Sequence, residues 1–399
     1  MEGLTMGYFS ARPWLALALA LMVVQPAQSA CTAPWALWES FAQRWLQDDG
    51  RLLESSLKAN HSTSEGQSYA LFFALVANDR ARFERIWRWS RENLAGNQPE
   101  RMLPGWLWGQ GSDGVWQVQD RNAAADADLW FAYALLEADR LWKVPGYRAD
   151  ALALLEQVKA QEVADLPGLG PTLLPGPVGY VQPDHLWRLN PSYVPLPVLR
   201  RLAAVDAKGP WKAIAQSSLK LLRDGTGHGF AADWVAYRGT SDKTGLFGAD
   251  AVGGASGSYD AIRVYLWAGM TDPADPAAAG LVAALHGMSH AVVPQGLPPE
   301  KVSLADGSVE GTGPFGFSAA LVPYFHAAGQ PWLAELQARR ARQGVQDALQ
   351  GKRESKAPSV YYDYMLSLFG LGWSDQRYRF AANGQLKPSW ETACSAKAP

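Results

Sequence analysis

From Asp126 to Trp142 the chain is apolar around almost the whole circumference of a helix, as Leu129, Trp130, Phe131, Ala132, Tyr133, Ala134, Leu135 and Leu136 follow one another. A helix at the surface of a fold keeps one face polar, so a helix of this kind must be surrounded by others. Helical spacing recurs elsewhere. Phe83, Ile86, Trp87 and Leu94 fall on one face behind a candidate N-cap at Asp79, with Gly96 just past the end. Further helices are predicted over about 35–47, 66–78, 126–142, 149–161, 211–223, 259–269, 276–291, 316–327, 331–349 and 359–371. Strand alternation is scarce. Gly/Pro-containing loops separate the helices, notably Leu166–Pro183, Thr240–Gly257 and Pro294–Pro314, and no low-complexity linker divides the chain. Helix pairs joined by loops, around helices with no polar face, predict one all-α domain built as a helical toroid or barrel.

The N-terminus stands outside that domain. Trp14 to Val24 is continuously apolar, with Arg12 before it and Gln25, Pro26 and small residues after it up to Ala30. That run is about half a membrane span, for which roughly 20 residues are needed. Met1 to Ala30 reads as a secretory signal peptide cleaved near Ala30 or Ser29, leaving residues 31–399 as the mature domain. Gln28 stands where a lipoprotein anchor at Cys31 calls for an aliphatic residue, so no membrane anchor is expected after cleavage. Export implies a periplasmic or secreted protein. There the two cysteines, Cys31 and Cys394, can form a disulfide tying the ends of the mature chain, or remain as separate thiols.

Formal charge is −2, with acidic and basic residues interspersed, which favours neither nucleic acid nor an anionic membrane as partner. The 18 tryptophans are more telling, because several sit beside Gly, Pro or Asn rather than at core spacing. Indole offers a broad apolar face and one N–H donor, which suits the C–H-rich face of a sugar ring as well as a protein core. Trp106, Trp108, Trp130, Trp187 and Tyr193 are candidate sugar platforms, each equally open to core packing.

Three acids stand out by context. Glu65 lies in Ser62-Thr63-Ser64-Glu65-Gly66-Gln67-Ser68-Tyr69, where Ser64 and Gln67 fit a capping box and Glu65 falls in the first turn. Asp126 opens the apolar helix, with Asp128 beside it in a structural or peripheral role. Asp260 lies in Ser258-Tyr259-Asp260-Ala261-Ile262-Arg263, three residues before Arg263. Each has an ordinary explanation by itself: helix-dipole complementarity, capping, and an ion pair. Together, three acids at helix starts beside Tyr69, Trp130 and Tyr259 have the composition glycoside hydrolysis requires, a carboxylic acid for the leaving oxygen and a carboxylate on the other side of the sugar.

At these residues the chain resembles glycoside hydrolase family 8, the inverting endoglucanases and relatives with an (α/α)6 barrel. The carrying segments are Thr63 to Tyr69, Asp126-Ala127-Asp128 with Ala132, Ala134, Leu135 and Trp142, Asn190-Pro191-Ser192-Tyr193, Ser258 to Arg263, and Gly313-Pro314-Phe315-Gly316-Phe317-Ser318. They span the mature chain in the family's order, and are most similar to the periplasmic branch associated with bacterial cellulose synthesis. The resemblance implies endo-acting hydrolysis of a β-1,4-glucan, with Glu65 as general acid, Asp260 as general base, and Asp126 orienting water and sugar. It also implies sugar contacts from Tyr69, Tyr259 and Arg263, a cellulose-synthase export complex as a partner, and no cofactor. The family signature usually has Ser or Thr where Ala125 stands, which removes one hydroxyl beside Asp126.

Other chemistries lack their motifs. His286 and His290 are four apart without an HExxH pattern or clustered cysteines. Gly225, Gly227 and Gly229 are followed by no Lys-Ser/Thr, and Gly253 to Gly257 lacks the strand of a nucleophile elbow. Two alternatives remain: a non-catalytic glycan-binding scaffold, and an enzyme for xylan, mixed-linkage glucan or chitosan.

Overall fold

A computed structural model describes residues 1–3, 34–54, 61–352 and 360–395, with side chains to residue 392 in the last segment. The expected leader falls almost wholly outside the described residues, as do Cys31 and the side chain of Cys394. Contacts divide the chain into Met1–Cys31 and Thr32–Pro399, and the second unit carries the fold.

Fourteen helices are present among the described residues: α1 Ala36–Trp45, α2 Ser64–Val76, α3 Arg80–Asn93, α4 Ala125–Trp142, α5 Pro145–Gln161, α6 Leu196–Val205, α7 Trp211–Asp224, α8 Ala261–Met270, α9 Ala278–Ala284, α10 His286–Val292, α11 Phe315–Ala327, α12 Pro331–Leu349, α13 Val360–Ser374 and α14 Ser389–Ser395. They are of two kinds. In α2, α4, α8, α11 and α13 nearly every side chain is buried, whereas α3, α5, α7 and α12 bury one stripe and turn charged residues outward. These buried helices, with α6 between α4 and α8, follow one another: α2 packs on α4, α4 on α6, α6 on α8, α8 on α11 and α11 on α13. Phe369 of α13 then meets Phe72 and Tyr69 of α2, with ring centroids 5.6 and 5.3 Å apart. The one-sided helices lie against them in pairs, α3 on α2, α5 on α4, α7 on α6 and α12 on α11.

Small residues set the closest approaches. A Cβ on Gly269 of α8 would sit 2.2 Å from the Tyr324 nitrogen of α11, and one on Gly370 of α13 1.8 Å from the Ala319 oxygen. α11 is thus held between its neighbours at backbone distance, and Gly370→Ala would force the helices apart.

The structure amends the expectation in three places. Helix α6 is absent from the expectation because Pro195-Leu196-Pro197 reads as loop; Pro195 is the N-cap and Pro197 falls in the first turn, where proline is tolerated. The single helix expected over 276–291 divides at Leu285 into α9 and α10. Scarce alternation hid fourteen short strands among the described residues, the longest of them Val235–Ser241. They form hairpins and small sheets, including Leu107–Gln110 with Trp116–Asp120, and a four-stranded sheet in which Leu186–Leu189 pairs with Val235–Ser241. The core is helical, and the sheets belong to the loops.

Candidate active site

The chain enters α2 through Ser62 and Thr63, which pair with Leu107 and Trp108 of the neighbouring hairpin. Thr63, not Ser64, is the N-cap: its hydroxyl accepts from the Gly66 N–H at 3.2 Å. The capping box expected from Ser64 and Gln67 is absent because Gln67 turns the other way. Its amide accepts from the Leu52 N–H and donates to the Gly50 carbonyl and the Ser90 hydroxyl. That buried amide anchors the first turn and leaves Glu65 facing the site.

Glu65 accepts from the Trp106 indole N–H at 3.0 Å and the Ser64 hydroxyl at 3.3 Å. Burial, and next the negative charge of Asp126, push its carboxyl up to about 8, against a smaller opposing pull from Arg263. Asp126, in the first turn of α4, accepts from the Tyr69 hydroxyl at 3.1 Å and the Ala127 N–H at 2.9 Å. Burial raises it to about 6, while Arg263 and the two hydrogen bonds hold it from going further. Tyr69 arises one helical turn after Glu65 and so connects the two helix starts.

On the α8 side, Asp260 receives the Arg263 guanidinium at 2.7 Å. The same guanidinium donates to the Ser192 hydroxyl at 2.7 Å and the Tyr362 hydroxyl at 3.1 Å. Tyr362 in turn donates to the Tyr259 carbonyl at 2.7 Å. Asn190 and Ser192 explain the Asn-Pro-Ser-Tyr segment: the Asn190 carbonyl oxygen accepts from the Ser192 N–H and hydroxyl, and so aims that hydroxyl at Arg263. Asp260 does not cap its helix by its side chain. Asp233 does that work, accepting from the N–H groups of Ser258, Asp260 and Ala261 at 2.8, 3.1 and 2.8 Å, so Asp260 is free to face the site.

The structure brings Glu65, Asp126, Asp260, Tyr69, Trp106, Tyr193, Tyr259 and Arg263 together. Tyr193 lies under Arg263, with its centroid 5.9 Å from the guanidinium carbon, and Tyr259 donates to Glu300 at 3.0 Å. Trp108 stacks on Trp116 at 5.1 Å in the hairpin after Trp106, with Arg51 over both rings. Two expected platforms are corrected. Trp130 is 1% exposed among Phe72, Trp267 and Phe369, so no face is left for a sugar. Trp187 is buried in a separate apolar cluster with Tyr237, Leu166 and Leu189.

Sequence reasoning missed Trp116, Asp233, Tyr362 and the pair Tyr180–Trp234, whose rings are parallel within 5° at 5.9 Å. Tyr180 senses the charges of Glu65 and Asp126, which places that pair near the acids. A Trp beside Asp233 was the one local signal available.

A family model described as glycosyl hydrolases family 8 matches residues 9–376. An endoglucanase of Pseudomonas fluorescens (strain SBW25) is 50% identical, covering 94% of this chain and 96% of that protein. An endoglucanase of Xanthomonas axonopodis pv. citri is 49% identical, with 93% of each covered. Among solved structures, the endo-1,4-D-glucanase of Vibrio fischeri ES114 superposes with a TM-score of 0.80 at 38% identity, covering 90% of this chain and 99% of that one.

Proposed function

The chain belongs to glycosyl hydrolase family 8, and from that premise we propose that it is an endo-1,4-β-glucanase cutting internal bonds of cellulose or a soluble β-glucan with inversion. The observation that carries the reading is the contrast between two acids of one site: Glu65, buried beside Asp126 with its carboxyl pushed up to about 8, and Asp260, bound by the Arg263 guanidinium at 2.7 Å. The order in which the buried helices touch, returning from α13 to α2, supports an (α/α)6 barrel with the acids at the N-terminal ends of three inner helices.

In the step itself, Glu65 gives its proton to the glycosidic oxygen as the C1–O bond breaks. Water attacks C1 from the opposite face and passes its proton to Asp260, so the new hemiacetal is the α-anomer. Asp126 accepts a hydrogen bond from the sugar or the water and keeps Glu65 protonated through its charge. Tyr193, Tyr259, Trp106 and Arg263 line the cut site, and Trp108 with Trp116 extends it. An inverting site leaves about 6.5–9.5 Å between its carboxyls for the water.

The leader read at Met1 to Ala30 supports export, to the periplasm or beyond. A role in trimming chains for bacterial cellulose synthesis, beside an export complex, rests on the branch resemblance. Cello-, xylo- and chito-oligosaccharides of defined length, with product sizing, test the substrate. Internal cleavage of cello-oligosaccharides and a rapid fall in carboxymethylcellulose viscosity are expected. Binding of cello-oligosaccharides without cleavage would instead identify a scaffold, and a first-formed β-anomer by proton NMR would refute inversion.

A further inference from the structure

Behind Asp126 lies a second pair of acids that the reaction does not use. Asp128, two residues on in α4, is wholly buried, and so is Glu162, which ends α5. Residues two apart on a helix point to nearly opposite sides. Asp126 faces Tyr69 of α2 at the front, and Asp128 faces α5 at the back. The two back carboxyls stand within hydrogen-bonding reach of each other. No N–H or O–H donor among the described residues reaches any of their four oxygens. Two carboxylates so placed would have acceptors and no donor, at a cost no neighbouring cation offsets. A proton on one of them supplies the missing donor.

The backbone around the pair is tied down. The Glu162 carbonyl accepts from the Leu174 N–H at 2.7 Å, and the Pro175 carbonyl accepts from the Ala125 N–H at 3.0 Å. One short segment thus joins the end of α5 to the first turn of α4, and the carboxyl pair closes the same junction from within. We propose that Asp128 and Glu162 share one proton and act as positioning residues, fixing the first turn of α4 so that Asp126 holds its aim. The charges acting on the pair are Asp126, for both members, and Glu65, for Asp128. Burial first, then the Glu162 carboxyl, and after it the charges of Asp126 and Glu65, favour keeping the proton on Asp128 at neutral pH.

The positioning role rests on the proposed function, whereas the shared proton does not. The test therefore reads both. Glu162→Gln replaces the proton by a permanent amide donor at the same charge, so it should fold and keep kcat within about threefold. Glu162→Ala leaves Asp128 without a donor and loosens the turn, so kcat should fall by about tenfold to a hundredfold with little change in KM. Asp128→Asn with Glu162→Gln removes the pair's negative charge. It should move the alkaline limb of kcat/KM to lower pH, a displacement that a purely structural role would not cause. Independently of activity, the infrared difference between wild type and Glu162→Gln at neutral pH should contain the carbonyl band of a protonated carboxyl. If Glu162→Ala does not fold, that band and the pH limb of the double variant decide. No band, or equal kcat in the Gln and Ala variants, overturns the proposal. A band in a wild type that cleaves no β-1,4-glucan would leave the shared proton standing and sink the functional reading.

Discussion

The two ends of α4 treat buried acids in opposite ways. Toward its C-terminal end Glu137, wholly buried, accepts from the guanidinium groups of Arg140 at 2.9 Å and Arg201 at 2.5 Å, and from the Leu386 N–H at 2.9 Å. Arg140 carries the network on to Glu391 at 2.7 Å. At the N-terminal end Asp126 has one phenol and one backbone N–H, and Asp128 has only another acid. A buried carboxylate matched by cations is a rivet for the fold. A buried carboxyl kept short of donors has its proton affinity raised, which hydrolysis of an acetal requires and stability does not. Burial alone therefore does not separate Glu65 and Asp126, the acids proposed for catalysis, from Glu137; their partners do.

The comparison can be broken at either end. The largest effect is expected from Glu65→Gln, which should lower kcat by about 10²–10⁴-fold on cello-oligosaccharides while oligosaccharide binding and the thermal midpoint stay near wild type. Glu137→Ala should do the reverse. It strands Arg201, leaves Arg140 with Glu391 alone as its acid, and should cost about 3–5 kcal/mol in denaturant unfolding, with kcat per folded molecule unchanged. Asp126→Asn should reduce kcat by about tenfold to a hundredfold. It also removes the charge that helps hold the proton on Glu65, so the alkaline limb of the pH–rate profile should move to lower pH. The smallest effect belongs to Thr63→Ala, which removes the α2 cap and should cost about 1 kcal/mol by the same unfolding measurement.

The same contrast sets the pH dependence of stability. Glu65 and Glu162 have folded values raised from the ordinary 4.5 to about 8. Through that window the native protein binds more protons than the unfolded chain, so stability falls as pH rises across it.

What could be read from the chain, and what could not, follows from sequence distance. Glu65, Asp126 and Asp260 sit in short motifs with their helix starts, and Tyr69 and Arg263 follow within a turn, so local spacing revealed them. Glu162 lies in an ordinary amphipathic helix end, and only folding turns it toward Asp128. Asp233 caps α8 from 28 residues away, and Tyr362 reaches Arg263 across 99. Trp130 misled for the same reason: an indole one helical turn from Asp126 in sequence points into the helical core when placed on the helix. The buried helices were legible because a helix without a polar face has one environment open to it. The small sheets were not, since strands of two to seven residues carry too little alternation to register.

The central claim is that Glu65 keeps its proton at working pH because burial and the negative charge of Asp126 together outweigh its hydrogen bonds and the pull of Arg263. Carbon-13 NMR of protein labelled at the glutamate carboxyls tests it directly, with the Glu65 resonance identified by its loss in Glu65→Gln. Titration of that resonance near 8 is the predicted result. Titration near the ordinary glutamate value of 4.5 would contradict the account.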